Sequence, residues 1–266
     1  MPTIQFANGH STANKPSGND ISLPKVYRPD DRVEPVPKPG FPHNLYPRWI
    51  GHKFTPDGHI LPYPGNGVLS PLEPTSALYQ SLHALLADMQ EQEWARLYTF
   101  LPPSSWHMTT YEGISDQIRK PKEWPGHLPL DSSLNSCHAH VATRLADFEH
   151  GLGDAEVEIT VAGFESLAEG IALKLVPVKS EGERALRDLR DRLSERLNMR
   201  HPGHDAYSFH MGMGYLLKHL SEEEEAKIAE FLRGWQARLP KSFMLSVPEF
   251  VVYDDMLAFR RVFWLA

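Results

Sequence analysis

A single cysteine, Cys137, in a chain of 266 residues cannot close an internal disulfide, so a secreted fold stapled by disulfides is excluded. The sequence also lacks a hydrophobic run long enough to span a membrane, and its start, MPTIQFANGHSTANKPSGND, has no apolar core of signal-peptide length. The expectation is an intracellular, cytoplasmic protein with no membrane partner. Positive charge is scarce too. A net charge of −7 argues against a broad basic surface for long nucleic acid, yet leaves room for a local pocket that takes one phosphate or a small anion. Metal-site spellings such as HExxH and CxxC are missing. His138 and His140 diverge on a helix, and neither they nor His201 and His204 show a persuasive metal spacing, so no metal and no cofactor are expected.

What is present is ordinary globular material, 41% hydrophobic and 23% charged, enough to bury a sizeable core. Proline is uneven: 14 of the 23 fall within residues 1 to 74 and interrupt every periodic apolar pattern there. Residues 1 to 40 therefore read as a Pro-rich flexible arm and residues 41 to 266 as a single domain. From Phe41 to Gly67 the anchors Trp49, Phe54, Ile60, Leu61 and Tyr63 predict an ordered loop packed on that domain.

Beyond Asn66 the chain alternates regular elements. Four stripes at helical spacing predict amphipathic helices: Leu78 to Met89, Leu134 to Leu152, Leu186 to Leu197, and Ile228 to Leu239, the last launched by a capping box at Ser221-Glu222-Glu223-Glu224. Strand-like runs lie around Val68-Leu69 and over Arg96 to Phe100, Ser105 to Tyr111, Val157 to Phe164, Ile171 to Val176, Tyr207 to Leu217, Phe243 to Tyr253 and Leu257 to Trp264. Hairpin-like pairs mixed with helices predict an α+β fold with antiparallel or mixed sheets and helices outside. No short-period repeat is visible. A coarse echo is: each half carries a helix followed by strands, one of them bearing His-Met.

The first echo is Ser105-Trp106-His107-Met108-Thr109-Thr110-Tyr111 and the second Ser208-Phe209-His210-Met211-Gly212-Met213-Gly214-Tyr215. Strand parity puts Ser105, His107, Thr109 and Tyr111 on one face, and Ser208, His210, Gly212 and Gly214 on one face of the other strand. Two imidazoles flanking a phosphoryl group form an acid-base pair, because histidine's pKa of ~6.5 lets both protonation states coexist near neutral pH. One takes a proton from water while the other gives one to the departing ribose oxygen. Thr109, beside His107, can donate its hydroxyl to a non-bridging phosphate oxygen.

These residues resemble the two-histidine phosphoesterase superfamily, whose hallmark is a His-x-Thr/Ser motif on a strand in each lobe. The superfamily includes RNA ligase-like and cyclic nucleotide phosphodiesterase proteins. The order GHKFTPDGHILPYPGNGV, WHMTTYEG, FHMGMGYLL is similar to a branch known mainly as a domain of unknown function, over residues 45 to 266. The resemblance implies a bilobal fold, two pseudo-symmetric lobes around a central cleft. It also implies a metal-independent phosphodiesterase that hydrolyses a cyclic or linear phosphodiester of a small nucleotide or RNA end, 2′,3′-cyclic phosphates in particular. His107 and Thr109 match the first motif and His210 the second, but Gly212 stands where Thr or Ser is expected. Ser208, Tyr215 or Tyr63 could replace that hydroxyl, or Gly212 could expose backbone to the ligand. Asn66, in the glycine-rich lead-in, is expected to line the cleft. Arg260 or Arg261 could add a cation, with surface ion pairing as the plainer role. The alternative to an enzyme is a nucleotide- or phosphate-binding protein that kept the cleft and lost turnover with the second hydroxyl.

Overall fold

In the computed structural model, which describes residues 36–152 and 157–266, each of the four apolar stripes begins a helix, but the second helix ends at Leu145 and the fourth at Gln236, so Phe148, Leu152 and Leu239 are buried in the chain beyond them. Helix α1 (Ala77–Gln90) is capped by the Ser76 hydroxyl, which accepts from the Tyr79 N–H, and buries Leu78, Leu82, Leu85, Leu86 and Met89. The Ser133 hydroxyl caps α2 (Leu134–Leu145) in the same way. Helix α3 (Ser180–Leu197) ends where Asn198 turns left-handed, at φ 47° and ψ 49°. The capping box of α4 (Glu222–Gln236) forms as spelled, with Ser221 and Glu224 bonding each other's backbone N–H. Among the described residues no helix is long and apolar enough to cross a membrane. Most of the proposed 1–40 arm lies outside the described residues.

Nine strands accompany these helices among the described residues: β1 (Gly65–Pro71), β2 (Tyr98–Phe100), β3 (His107–Ser115), β4 (Glu158–Phe164), β5 (Gly170–Pro177), β6 (His210–Leu216), β7 (Ser242–Met244), β8 (Glu249–Tyr253) and β9 (Arg260–Trp264). They make two sheets, ordered β3-β1-β8-β9 and β2-β6-β5-β4-β7, and every pairing is antiparallel. The α+β architecture is thus as the pattern predicts. The run Phe243 to Tyr253, read as one strand, is two: it leaves the five-stranded sheet as β7 and enters the four-stranded sheet as β8, with Pro248, unable to donate to a ladder, between them.

The lobes are not simply the two halves of the chain. Strand β2, from the first half, edges the second sheet, while β8 and β9, from the C-terminal end, complete the first. Helices α1 and α4 pack on the five-stranded sheet, α2 lies on β1 and β8, and α3 reaches both β3 and β5. The two sheets meet where β3 comes against β6, the strands that begin with the two histidines.

Candidate active site

His107 is the first residue of β3 and His210 the first of β6. The Nδ1 of His107 lies 2.7 Å from the Ser105 carbonyl oxygen, and the Nδ1 of His210 lies 3.0 Å from the Ser208 carbonyl oxygen. A carbonyl only accepts, so each Nδ1 carries a proton and donates it to the residue two positions back. In each ring Nδ1 is thus the nitrogen that holds a proton in the neutral form, and Nε2 is the second, titrating nitrogen. The edge of the His107 ring packs on Phe259, with centroids 4.4 Å apart. Burial lowers the His107 pKa to about 4; the Ser105 bond opposes this, and the nearby charges of His210 and Lys53 add to it. His107 is therefore neutral at pH 7, and the two histidines are near enough to feel each other's charge.

Thr109 shares the half-exposed face of His107, while Met108 and Thr110 point into the core. Its hydroxyl makes no hydrogen bond within the described residues, which leaves it available to a ligand. After Thr109 the simple parity fails. Leu69 pairs with Thr109 but Val68 pairs with Tyr111, so Thr110 is an unpaired bulge residue. The bulge turns Tyr111 into the core, where its hydroxyl donates to the Met199 carbonyl, away from the face of His107. Buried Arg190, on α3, supports the bulge by donating to the Thr110 carbonyl at 2.8 Å while its guanidinium lies 3.8 Å from the Tyr207 ring.

The second motif repeats the device. Ala172 pairs with Gly212 and Ile171 with Gly214, leaving Met213 as the bulge residue at the same offset from its histidine. Here the shift brings Tyr215 onto the half-exposed face and sends Leu216 to the core. Gly212 sits on the face of His210. A Cβ built there would meet only Leu101 Cδ1, at 3.7 Å, so the position has space for a side chain.

That face is covered by the segment read as an ordered loop. Ile50, Phe54 and Tyr63 join Leu101, Leu217 and Met256 in a second buried cluster, flanked by Trp49, Tyr215, Tyr253 and Phe259. Within it sits a residue the sequence reading missed, Lys53. Its Nζ donates to the Tyr215 hydroxyl at 2.9 Å and lies 3.9 Å from the Trp49 ring, 4.8 Å from Tyr215 and 5.0 Å from Tyr63. Two of the anticipated residues, Tyr63 and Tyr215, thus converge on one ammonium. The only signal for it was a lysine set between the apolar anchors Ile50 and Phe54.

Other anticipated residues are placed differently. Asn66 is buried, its amide donating to His138 on α2 at 3.0 Å and its oxygen accepting from the Ile114 N–H at 3.2 Å. It ties β1 to α2 and β3. Gly65 beside it serves the same close packing: a Cβ there would lie 2.2 Å from the Ile114 carbonyl oxygen, so β3 fills the space a phosphate would need at that glycine. The Ser208 hydroxyl donates to Glu165 at 3.3 Å. Arg261 pairs with Glu249 at 3.2 Å and stacks on Trp264. Asp191, His204 and Asp205 converge closely enough to hold a metal ion, but both carboxylates are ion-paired with Arg200. A cavity of about 1030 Å³ adjoins this group, lined by Trp124, Asn198, Met199 and His201, and neither His107 nor His210 contributes to it.

Residues 53–168 match the family model 2H-phosphodiest, described as a domain of unknown function (DUF1868). Among solved structures the fold is similar to a conserved protein of unknown function from Agrobacterium tumefaciens. That protein is 24% identical, with a TM-score of 0.76 over 83% of this chain and 94% of the other. A comparison with curated proteins finds no match.

Proposed function

We propose that this chain, a member of the two-histidine phosphoesterase superfamily by its match over residues 53–168, hydrolyses a cyclic or linear phosphodiester of a small nucleotide or RNA end by histidine acid-base catalysis. The family suggests phosphodiester hydrolase activity; the substrate class and the mechanism are the proposal. The observation that carries it is the matched pair of imidazoles, each opening a strand, each with Nδ1 bound to the carbonyl two residues back, at the seam of the two sheets.

A phosphoryl group held between the two Nε2 atoms would be attacked by water in line with the departing ribose oxygen. His107, neutral at pH 7, takes the proton from water as the new P–O bond forms. His210, carrying a second proton on Nε2 at the start of the step, gives that proton to the leaving oxygen as the old P–O bond breaks, and solvent then reprotonates His210 and takes the proton from His107. The Thr109 hydroxyl donates to a non-bridging oxygen as negative charge builds there. No step draws on a metal ion. One feature favours the alternative of a nucleotide-binding protein with little turnover: Gly212 brings no second hydroxyl, and that of Ser208 is directed to Glu165.

The test is hydrolysis of a panel of 2′,3′-cyclic nucleotides with chelator present, by wild type, His107→Ala and His210→Ala. Chelator-resistant turnover lost in both variants supports the assignment. Turnover indifferent to both substitutions refutes it, and tight nucleotide binding without turnover establishes the alternative.

A further inference from the structure

The lead-in loop contributes a buried cation to this site, and its placement answers the missing hydroxyl of the second motif. Lys53 lies in a segment that precedes both motifs, yet its ammonium is anchored on β6 by the Tyr215 hydroxyl at 2.9 Å. The anchor exists because of the Met213 bulge, without which strand parity would turn Tyr215 into the core. Tyr215 is itself oriented, its hydroxyl donating to Met256 Sδ at 3.6 Å and its ring tilted on Phe54 at 5.0 Å. Trp49 closes the other side of the ammonium, and Trp49 is in turn held by its indole N–H donating to Glu169 at 3.1 Å. The charge of Lys53 reaches His107, where it opposes protonation.

Three properties follow from this arrangement. The ammonium belongs to the same face as His107, Gly212 and Tyr215. It is withdrawn from bulk water, so an anion brought beside it interacts more strongly than at the surface. Its long side chain is already fixed by three rings and a hydroxyl, so little rotamer freedom remains to be lost when a ligand arrives. At the complementary position on β6, Gly212 has space for a side chain and provides none.

We propose that Lys53 is the phosphate-holding residue of the second lobe, its ammonium contacting a non-bridging oxygen of the phosphoester where the superfamily's second motif would present a Thr or Ser hydroxyl. This rests on the two-histidine reading above and deepens it, because the ligand it selects is an anionic phosphate group. It also gives the lead-in loop a role in binding, since the cation and Trp49 come from one short segment that covers the catalytic face.

The experiment measures binding of inorganic phosphate and of a nucleoside 2′-monophosphate to wild type, Lys53→Met, Gly212→Ser and the double variant, together with cyclic-nucleotide turnover. Lys53→Met should weaken both ligands by roughly tenfold or more, as expected for loss of a charge-assisted contact. KM for a cyclic substrate should rise with it, and Gly212→Ser should recover part of the loss in the Lys53→Met background. A purely structural lysine would lower the melting temperature and leave the affinity of the folded fraction unchanged, and that result overturns the proposal. Should Lys53→Met fail to fold, the Lys53 Cε resonance of wild type, isotopically labelled and titrated with inorganic phosphate, decides: a saturating shift supports the contact and an invariant resonance overturns it. Wild-type turnover that Lys53→Met leaves unaltered refutes Lys53 alone, whereas a wild type that neither binds phosphate nor turns over cyclic substrates refutes the two-histidine reading as well.

Discussion

Replacing His107 by Gln should flatten the acid side of the stability profile. In the folded chain burial holds this imidazole at about 4, against 6.5 for the ordinary side chain. Between those values the unfolded chain binds a proton that the folded chain does not, so stability rises with pH through this window. The contribution is fully present above about pH 6.5 and is lost as pH falls toward 4. One pKa unit corresponds to ~1.4 kcal/mol, so acidifying from pH 7 to pH 5 removes about 2 kcal/mol through His107 alone. Burial also lowers the pKa values of His52, His138, His140, His150 and His204, so the whole profile slopes the same way. Those groups are common to wild type and variant, and cancel in the comparison. Urea denaturation at pH 7, 6 and 5 gives the unfolding free energy of each protein. The wild type should lose about 2 kcal/mol more than His107→Gln over that range. Equal losses would mean that the folded chain protonates His107 as readily as the unfolded one, and the argument for a neutral base at pH 7 would fall.

Thr109→Val keeps the volume and removes the hydroxyl, so kcat on a cyclic substrate should drop by roughly a hundredfold while melting temperature changes little; an unchanged kcat would remove Thr109 from the site. In Gly113→Ala the new Cβ would lie 2.1 Å from the Asn66 carbonyl oxygen, forcing β1 and β3 apart. Thermal or denaturant melts should show a loss of about 1–3 kcal/mol. Ser221→Ala removes the hydroxyl that accepts from the Glu224 N–H, and should cost about 1 kcal/mol without altering turnover.

The elements of this fold were legible where local pattern suffices. Leu78 through Met89 and Ile228 through Trp235 repeat with the helical period, and each stripe is buried against a sheet. His107 and His210 could be picked out because each stands in a His-Met echo within a strand-like run, with small hydroxyl or glycine neighbours on the same face. What stayed hidden depends on pairing between distant segments. Nothing in Thr109-Thr110-Tyr111 announces that Thr110 is left unpaired, because the bulge is a property of β1 and β3 together, and it reverses where Tyr111 points. The Met213 bulge does the reverse for Tyr215. Asn66, expected at the cleft, proved a tie between β1, β3 and α2, for its partners Ile114 and His138 lie far along the chain. Lys53 was invisible for the same reason: a lysine in a proline-rich loop reads as solvated until Trp49, Tyr63 and Tyr215 are known to surround it.

The interleaving of strands sets an order on synthesis. Strand β1 is interior to its sheet only when β8 has joined it, and β8 begins at Glu249. A nascent chain emerging from the ribosome therefore carries β1 with one hydrogen-bonding edge open until the residues of β8 have been made. The segment matched by the family model, residues 53–168, provides β1 to β4, which are divided between both sheets. It omits β6 and with it His210. That segment therefore closes neither sheet by itself, and the strand that His107 opens meets the strand that His210 opens only when residues beyond it have folded.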